Sequence, residues 1–360
     1  MSEQTVHPAV AFPPITDQLP AAAEQPQAGG GEVTPPPTRR RRMSIVFAVL
    51  SVLVAAFLLF AVWYLVNRKP VTQILPGITT EQLPHYATSF YGVTAPTGVA
   101  VAADGSRVYA TQTERDPKVV IFDASGKAIG TLAPPASTGS SHVPVYVAVN
   151  PTNGNVYVSD RPAGALYVYA ADGTFLRTFD PGPNLKGWTP MGLAFDSKGD
   201  LFVTGLGAPY MAVHEFAPDG SFVRTFGASG QMNFPNGVAV DREGNVYVSD
   251  SNNGRMLVFS PDGQQIGSVK RGSAASELGL PRGIAVDDQD RVYVADVSTQ
   301  GVLLYHAQAG GSEAPKYIGT IGVQGTVDGA FQFPNAVAVD GRGHLYVADW
   351  RNNRIQMWSY

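Results

Sequence analysis

Six times between residues 96 and 349 the chain repeats one sentence, and that repetition limits the folds open to it more than any other feature. The copies begin at Pro96 (PTGVAVAADGSRVYAT), Pro144 (PVYVAVNPTNGNVYVSD), Pro190 (PMGLAFDSKGDLFVTG), Pro235 (PNGVAVDREGNVYVSD), Pro281 (PRGIAVDDQDRVYVAD) and Pro334 (PNAVAVDGRGHLYVAD). They are spaced by 45 to 53 residues. Each reads as a strand, a tight turn and a second strand. A period of this length, built from several short strands, marks a β-propeller with one copy per blade.

Positions within a copy have physical reasons. The first strand centres on alanine (Ala100, Ala148, Ala194, Ala239, Ala285, Ala338), as expected where blades converge on an axis and leave little room. The second strand carries an aromatic residue (Tyr109, Tyr157, Phe202, Tyr247, Tyr293, Tyr346), as expected farther out, where the blades diverge. Glycine marks most of the turns between them, and a second hairpin follows the third strand, with Asp-Gly at 172–173, 219–220 and 262–263. Fourth strands read FLRTF (175–179), FVRTF (222–226) and YIGTI (317–321). The sixth copy ends at Tyr360 after its third strand, while YATSF (86–90) upstream of the first copy has the fourth-strand pattern. Residues 86–90 are therefore expected to complete the last blade and close the ring, leaving no open edge.

The stretches PNGVAVDREGNVYVSDSNNGR (235–255) and PNAVAVDGRGHLYVADWRNNRIQMW (334–358) closely resemble the NHL-repeat family. Copies one and three depart from its pattern after the second strand, at 111–118 and 205–210. The resemblance covers about residues 86–360. It implies an all-β, six-bladed NHL-type propeller; for function it implies little, because one propeller fold serves many roles. Its nearest functional analogy is the extracytoplasmic sensor propeller of bacterial receptor kinases, although this chain contains no kinase.

The loops that follow second and fourth strands lie on one face and vary in sequence, and such loops on a rigid scaffold are where binding residues collect. The residue after each anchoring proline is expected to ring the axial channel there: Thr97, Val145, Met191, Asn236, Arg282 and Asn335. Arg282 between two amides could hold a carboxylate or phosphate. Alternatively, the amides could satisfy loop backbone and Arg282 could pair with an acid such as Asp296. Of the histidines only His142 is expected near the channel mouth. Trp188, Tyr210 and Trp350, with Arg255 and Arg351, are candidate contacts for a partner or else blade packing. Asp160, Asp250, Asp296 and Asp349 end second strands, and their regular recurrence points to loop closure through backbone amides rather than to a metal. Arg161, Arg255, Arg351 and Arg354 lie near enough to neutralise them.

Several chemistries lack their residues. The chain has no cysteine and no GxSxG, HExxH or Walker A pattern. Calcium would need converging acids at the channel and zinc converging histidines; neither is present in the pattern, so no metal or other cofactor is expected. From Pro70 onward 19 Lys and Arg face 25 Asp and Glu, a balance that argues against nucleic acid.

The first 85 residues are of another kind. Residues 1–43 form a Pro-rich tail, expected to be disordered, that ends in Arg39–Arg42. Residues 44–66 (SIVFAVLSVLVAAFLLFAVWYLV) carry no charge and are long enough to cross a bilayer as a single signal-anchor helix. Four arginines before it against Arg68 and Lys69 after it place the N-terminus in the cytoplasm. Residues 67–85 are a linker. The expectation is a single-pass inner-membrane protein whose propeller lies outside the cytoplasm, with its variable face turned away from the bilayer. It would bind a protein, an envelope polymer or a small anion; the alternative is a propeller hydrolase or lyase with its site at the channel mouth.

Overall fold

The computed structural model describes residues 50–55, 82–135, 141–207, 209, 211–227, 230–270, 278–307 and 314–360. The chain divides into two compact units, Met1–Thr79 and Thr80–Tyr360. In the first, residues 50–55 are helical and exposed. The tail, the rest of the 44–66 span and most of the linker lie outside the described residues, among which no helix is long and apolar enough to cross a membrane.

The second unit consists of six four-stranded antiparallel sheets. Blade one is β2 (Pro96–Val101), β3 (Arg107–Gln112), β4 (Lys118–Asp123) and β5 (Ala128–Leu132). Blade two is β6 (Pro144–Val149), β7 (Val156–Asp160), β8 (Ala165–Tyr169) and β9 (Phe175–Thr178). Blade three is β10 (Thr189–Phe195), β11 (Leu201–Leu206), β12 (Val213–Phe216) and β13 (Phe222–Phe226). Blade four is β14 (Pro235–Val240), β15 (Val246–Asp250), β16 (Arg255–Phe259) and β17 (Gln265–Lys270). Blade five is β18 (Pro281–Val286), β19 (Arg291–Asp296), β20 (Gly301–His306) and β21 (Lys316–Ile321). Blade six joins β22 (Pro334–Val339), β23 (His344–Asp349) and β24 (Arg354–Ser359) to β1 (His85–Tyr91).

The ring closes as the strand pattern implied. Strand β1 pairs antiparallel with β24, from His85 opposite Ser359 to Tyr91 opposite Arg354. Phe90, 1% exposed, packs on Phe122 of blade one and Tyr346 of blade six, so the closing strand also joins the last blade to the first.

The second-strand aromatics are all buried. In the last three blades their hydroxyls donate to the aspartate that opens the preceding hairpin: Tyr247 to Asp241 at 3.0 Å, Tyr293 to Asp287 at 2.8 Å and Tyr346 to Asp340 at 3.3 Å. Burial and the Asp340 charge push the Tyr346 hydroxyl up to about 12. The aromatic thus fills the space between blades and also pins the turn.

Close approaches of neighbouring inner strands fall two residues before the recurring alanine position. A Cβ on Gly98 would meet Val145 O at 2.6 Å, one on Gly192 would meet Asn236 O at 2.3 Å, and one on Gly237 would meet Arg282 O at 2.6 Å. These contacts are with backbone, so at these three positions a side chain has no room where adjacent blades touch main chain to main chain. Side-chain hydroxyls stitch the same level: Thr111 donates to Val145 O, Ser159 to Met191 O and Thr204 to Asn236 O, at 2.8 to 3.1 Å. In every blade the pairing of first and second strands slips just after the proline, a bulge that turns the next residue toward the axis.

Candidate functional site

The six post-proline residues do converge. Thr97, Val145, Met191, Asn236, Arg282 and Asn335 line one axial cavity of about 270 Å³. The bulge in each inner strand places them there. Loop residues that follow second strands complete the wall: Arg161 after β7, Val297 after β19 and Trp350 after β23. Phe234 and Phe333, each just before its anchoring proline, add two more rings, and Tyr146 lies among them.

The polar groups have distinct fates. Thr97 Oγ1 donates to Val145 O at 3.0 Å and is spent on backbone. Asn335 Nδ2 donates to Phe333 O at 3.3 Å, so this amide does satisfy its own loop. Asn236, only 2% exposed, accepts at Oδ1 from the Tyr146 hydroxyl at 2.8 Å. That bond joins blade two to blade four, past the intervening blade three. Burial holds the Tyr146 hydroxyl well above the ordinary tyrosine range, so it stays protonated.

Arg282 has no carboxylate partner among the described residues, and its Nε is buried without a hydrogen bond. Its guanidinium lies 5.8 Å from the centre of the Phe234 ring, within cation–π range. Asp296 takes no part: it accepts from the backbone N–H groups of Gly279, Leu280, Ser298 and Thr299 at 2.8 to 3.0 Å. The pairing of Arg282 with Asp296, one of the two options open in the sequence, is therefore not what the structure shows.

Asp160, Asp250 and Asp349 close their loops in the same way, accepting backbone N–H groups of Val143, Asn233 and Gln332 respectively. All four carboxylates are fully buried. Among the described residues no cluster of His, Asp and Glu could hold a metal ion.

The arginines near these acids divide into two sets. Arg255 Nε donates to Asp250 at 2.6 Å, and Arg354 Nε to Asp349 at 2.9 Å. Both stand five residues after their aspartate, where the chain has turned back over the carboxylate. Arg161 and Arg351 stand one and two residues after theirs, and neither makes that ion pair. Arg161 lines the cavity, and Arg351 stacks on Trp350 at 4.1 Å. Arg255 is thus a loop clamp rather than a free contact.

Other expected contacts settle in place. Trp188 is 3% exposed and packs edge-on against His214 and Phe216, which makes it blade packing. His142 is hydrogen-bonded through Nδ1 to Asp160 at 2.8 Å and is not among the cavity lining. Tyr210 lies outside the described residues. Trp350 is half-buried against Phe333, their rings 5.8 Å apart and nearly perpendicular. Four residues of the wall were not singled out in the sequence, Tyr146, Phe234, Val297 and Phe333, and Arg161 was read there only as a neighbour of the strand-end aspartates. Tyr146 had a signal, because copy two reads Pro-Val-Tyr where four others place glycine and one alanine at the third position.

Two wall residues are strained. Phe234 and Phe333 have φ of 61° and 57°, a left-handed conformation that bulky side chains rarely adopt.

The family model for the NHL repeat matches residues 232–259 and 331–358, within blades four and six. No curated protein matches the chain in sequence. Solved structures of the same architecture include a protein of unknown function from Bacteroides thetaiotaomicron VPI-5482, with TM-score 0.58 at 19% identity over 77% of this chain and 72% of that one. The WD40 repeats of RRP9 give TM-score 0.56 at 14% identity, over 77% and 99% of the two chains. Virginiamycin B lyase from Staphylococcus aureus gives 0.52 at 13% identity, over 76% and 98%. At such identities the likeness is one of fold. With matched repeats in two blades and the same strand plan in the other four, the chain is a six-bladed β-propeller that carries NHL repeats.

Proposed function

We propose that this chain is a binding propeller, held at a membrane by residues 44–66 with the propeller outside the cytoplasm, and that it captures a small anionic ligand in the axial cavity. One observation carries the binding reading: Arg161 and Arg282 line the cavity, and among the described residues no carboxylate lines it with them. A buried guanidinium nitrogen without a partner is costly unless something supplies an acceptor. An anion does so, and the low dielectric of a cavity strengthens the attraction.

Catalysis is the weaker reading. Among the described residues no histidine, aspartate or glutamate lines the cavity, and the Tyr146 phenol is held protonated, so these residues offer no general base at neutral pH. One of the lyases sharing this fold is catalytically inactive when a histidine is replaced by alanine; among the described residues this cavity has no histidine in its lining.

Titration calorimetry with acetate, benzoate and inorganic phosphate tests the binding reading. At least one should bind, and Arg282→Ala should abolish that binding with the melting temperature unchanged; binding that survives Arg282→Ala rejects the site. The membrane reading rests on the uncharged run 44–66 and the arginines before it. A protease added to intact spheroplasts should degrade the propeller, and protection until the membrane is permeabilised would reverse the orientation.

A further inference from the structure

We infer that the anion taken by this cavity is a small planar aromatic carboxylate, an inference that rests on the anion site proposed above. Three features of the wall point to it.

The first is the donor set. Guanidinium and amide groups are planar donors that match a carboxylate in two-point geometry. Asn236 has its carbonyl oxygen occupied by Tyr146, which leaves its amide N–H groups with no acceptor among the described residues. Arg282, Arg161 and Asn236 are therefore the cavity's available donors. Among the described residues no lysine is in the lining, and neither is a helix N-terminus of the kind that often holds phosphate.

The second is size. At about 270 Å³ the cavity falls just below the range of roughly 300–1,000 Å³ typical of drug-sized sites. Tyr146 and Asn236, both in its lining, are hydrogen-bonded to each other, which narrows the space further. The space suits one ring system and its acid group.

The third is the aromatic wall. Phe234, Phe333 and Trp350 meet at one cavity, and two of the three keep a left-handed backbone that glycine would adopt without strain. Strain retained at a cavity wall points to a use for the side chain. Phe333 is 41% exposed, so its ring is not held there by core packing. Rings at this position can take a planar ligand edge-on or offset-stacked while the carboxylate reaches Arg282.

The test uses the full-length chain in detergent micelles, titrated with benzoate, indole-3-acetate, cyclohexanecarboxylate, benzyl alcohol and inorganic phosphate. The aromatic acids should bind roughly 10-fold more tightly than cyclohexanecarboxylate, as one or two aromatic pairs would supply. Benzyl alcohol, which lacks the charge, should not bind. The double variant Phe333→Leu/Trp350→Leu should bring the aromatic and alicyclic acids to equal affinity while cyclohexanecarboxylate still binds. Equal affinities in the parent chain, or phosphate binding more tightly than any acid, would overturn the inference and leave the anion site standing. Absence of binding by every anion would overturn the site and the inference together.

Discussion

Phe333 shows how a single residue reports on function through its backbone. A left-handed conformation costs a non-glycine residue about 1–2 kcal/mol. Phe333→Gly removes that cost along with the ring, which at 41% exposure lies outside the buried core. The variant should therefore melt within a degree or two of the parent or slightly above it, by calorimetry, while losing preference for aromatic acids. A drop of several degrees would show that the ring serves stability instead. Asp349 is the opposite case. Fully buried, it accepts from Gln332 N–H, Asn352, Arg354 and Gln356. Asp349→Ala leaves Arg354, itself 3% exposed, facing no carboxylate at that end of its guanidinium. A loss of about 3–5 kcal/mol in denaturant unfolding is expected.

Among the elements, the inner strand and the hairpin that follows it divide the work. The inner strand carries the glycine collar and, beside it, the cavity residue. Gly237→Ala would press a methyl group against Arg282 O and the Gly283 backbone. It should destabilise the propeller by about 1–3 kcal/mol and also weaken anion binding, because the displaced strand is the one that presents Arg282. The hairpin carries the pinning aspartate. Burial raises the Asp340 carboxyl, but hydrogen bonds from His344 and from Arg342 N–H outweigh this and hold it below its ordinary 3.8. A carboxylate lowered in the folded state stabilises the protein above the unfolded pKa, and that contribution is lost as pH falls below about 3.8 through the folded value. Melting temperature should fall in this window, and Asp340→Asn should flatten that part of the profile; an unchanged acid limb would deny the hairpin this role.

For the molecule as a whole, closure is the decisive event. Strand β1 supplies the fourth strand of a blade whose other three end the chain, so the ring is sealed by pairing across nearly the whole propeller sequence. Removing residues through Tyr91 would expose the β24 edge and delete Phe90, whose burial alone contributes about 1.5–3 kcal/mol. The truncated chain should melt lower and aggregate, as unpaired edges do; a truncated propeller that stays monodisperse and melts like the parent would contradict this. The same closed ring makes a rigid cavity possible, because side chains from all six blades and their loops can meet at one axis only when no blade is free to swing.

Much of this architecture was already present in one dimension. The repeat period, the hairpin signals and the stray strand at 86–90 determined six blades and their closure, because strand alternation and turn chemistry are local and repeat with the blade. The post-proline ring was legible for the same reason: identical blades place identical positions on the axis. The fate of each side chain there was not. Arg161 and Arg255 both follow an aspartate, yet one faces the cavity and the other clamps a loop; the two-way choice follows from how far each loop travels before it turns back. Arg282 had a candidate partner in Asp296, and only the folded loop shows that carboxylate already filled by four backbone N–H groups. Phe234 and Phe333 looked like ordinary residues before a proline, since a sign of φ has no letter in the sequence. Tyr146 reaches its partner two blades away, and such a contact exists only after the ring has closed. Sequence by itself determined the scaffold, whose rules act over a few residues; tertiary structure decided the site, whose charges and rings depend on neighbours as many as 90 positions apart.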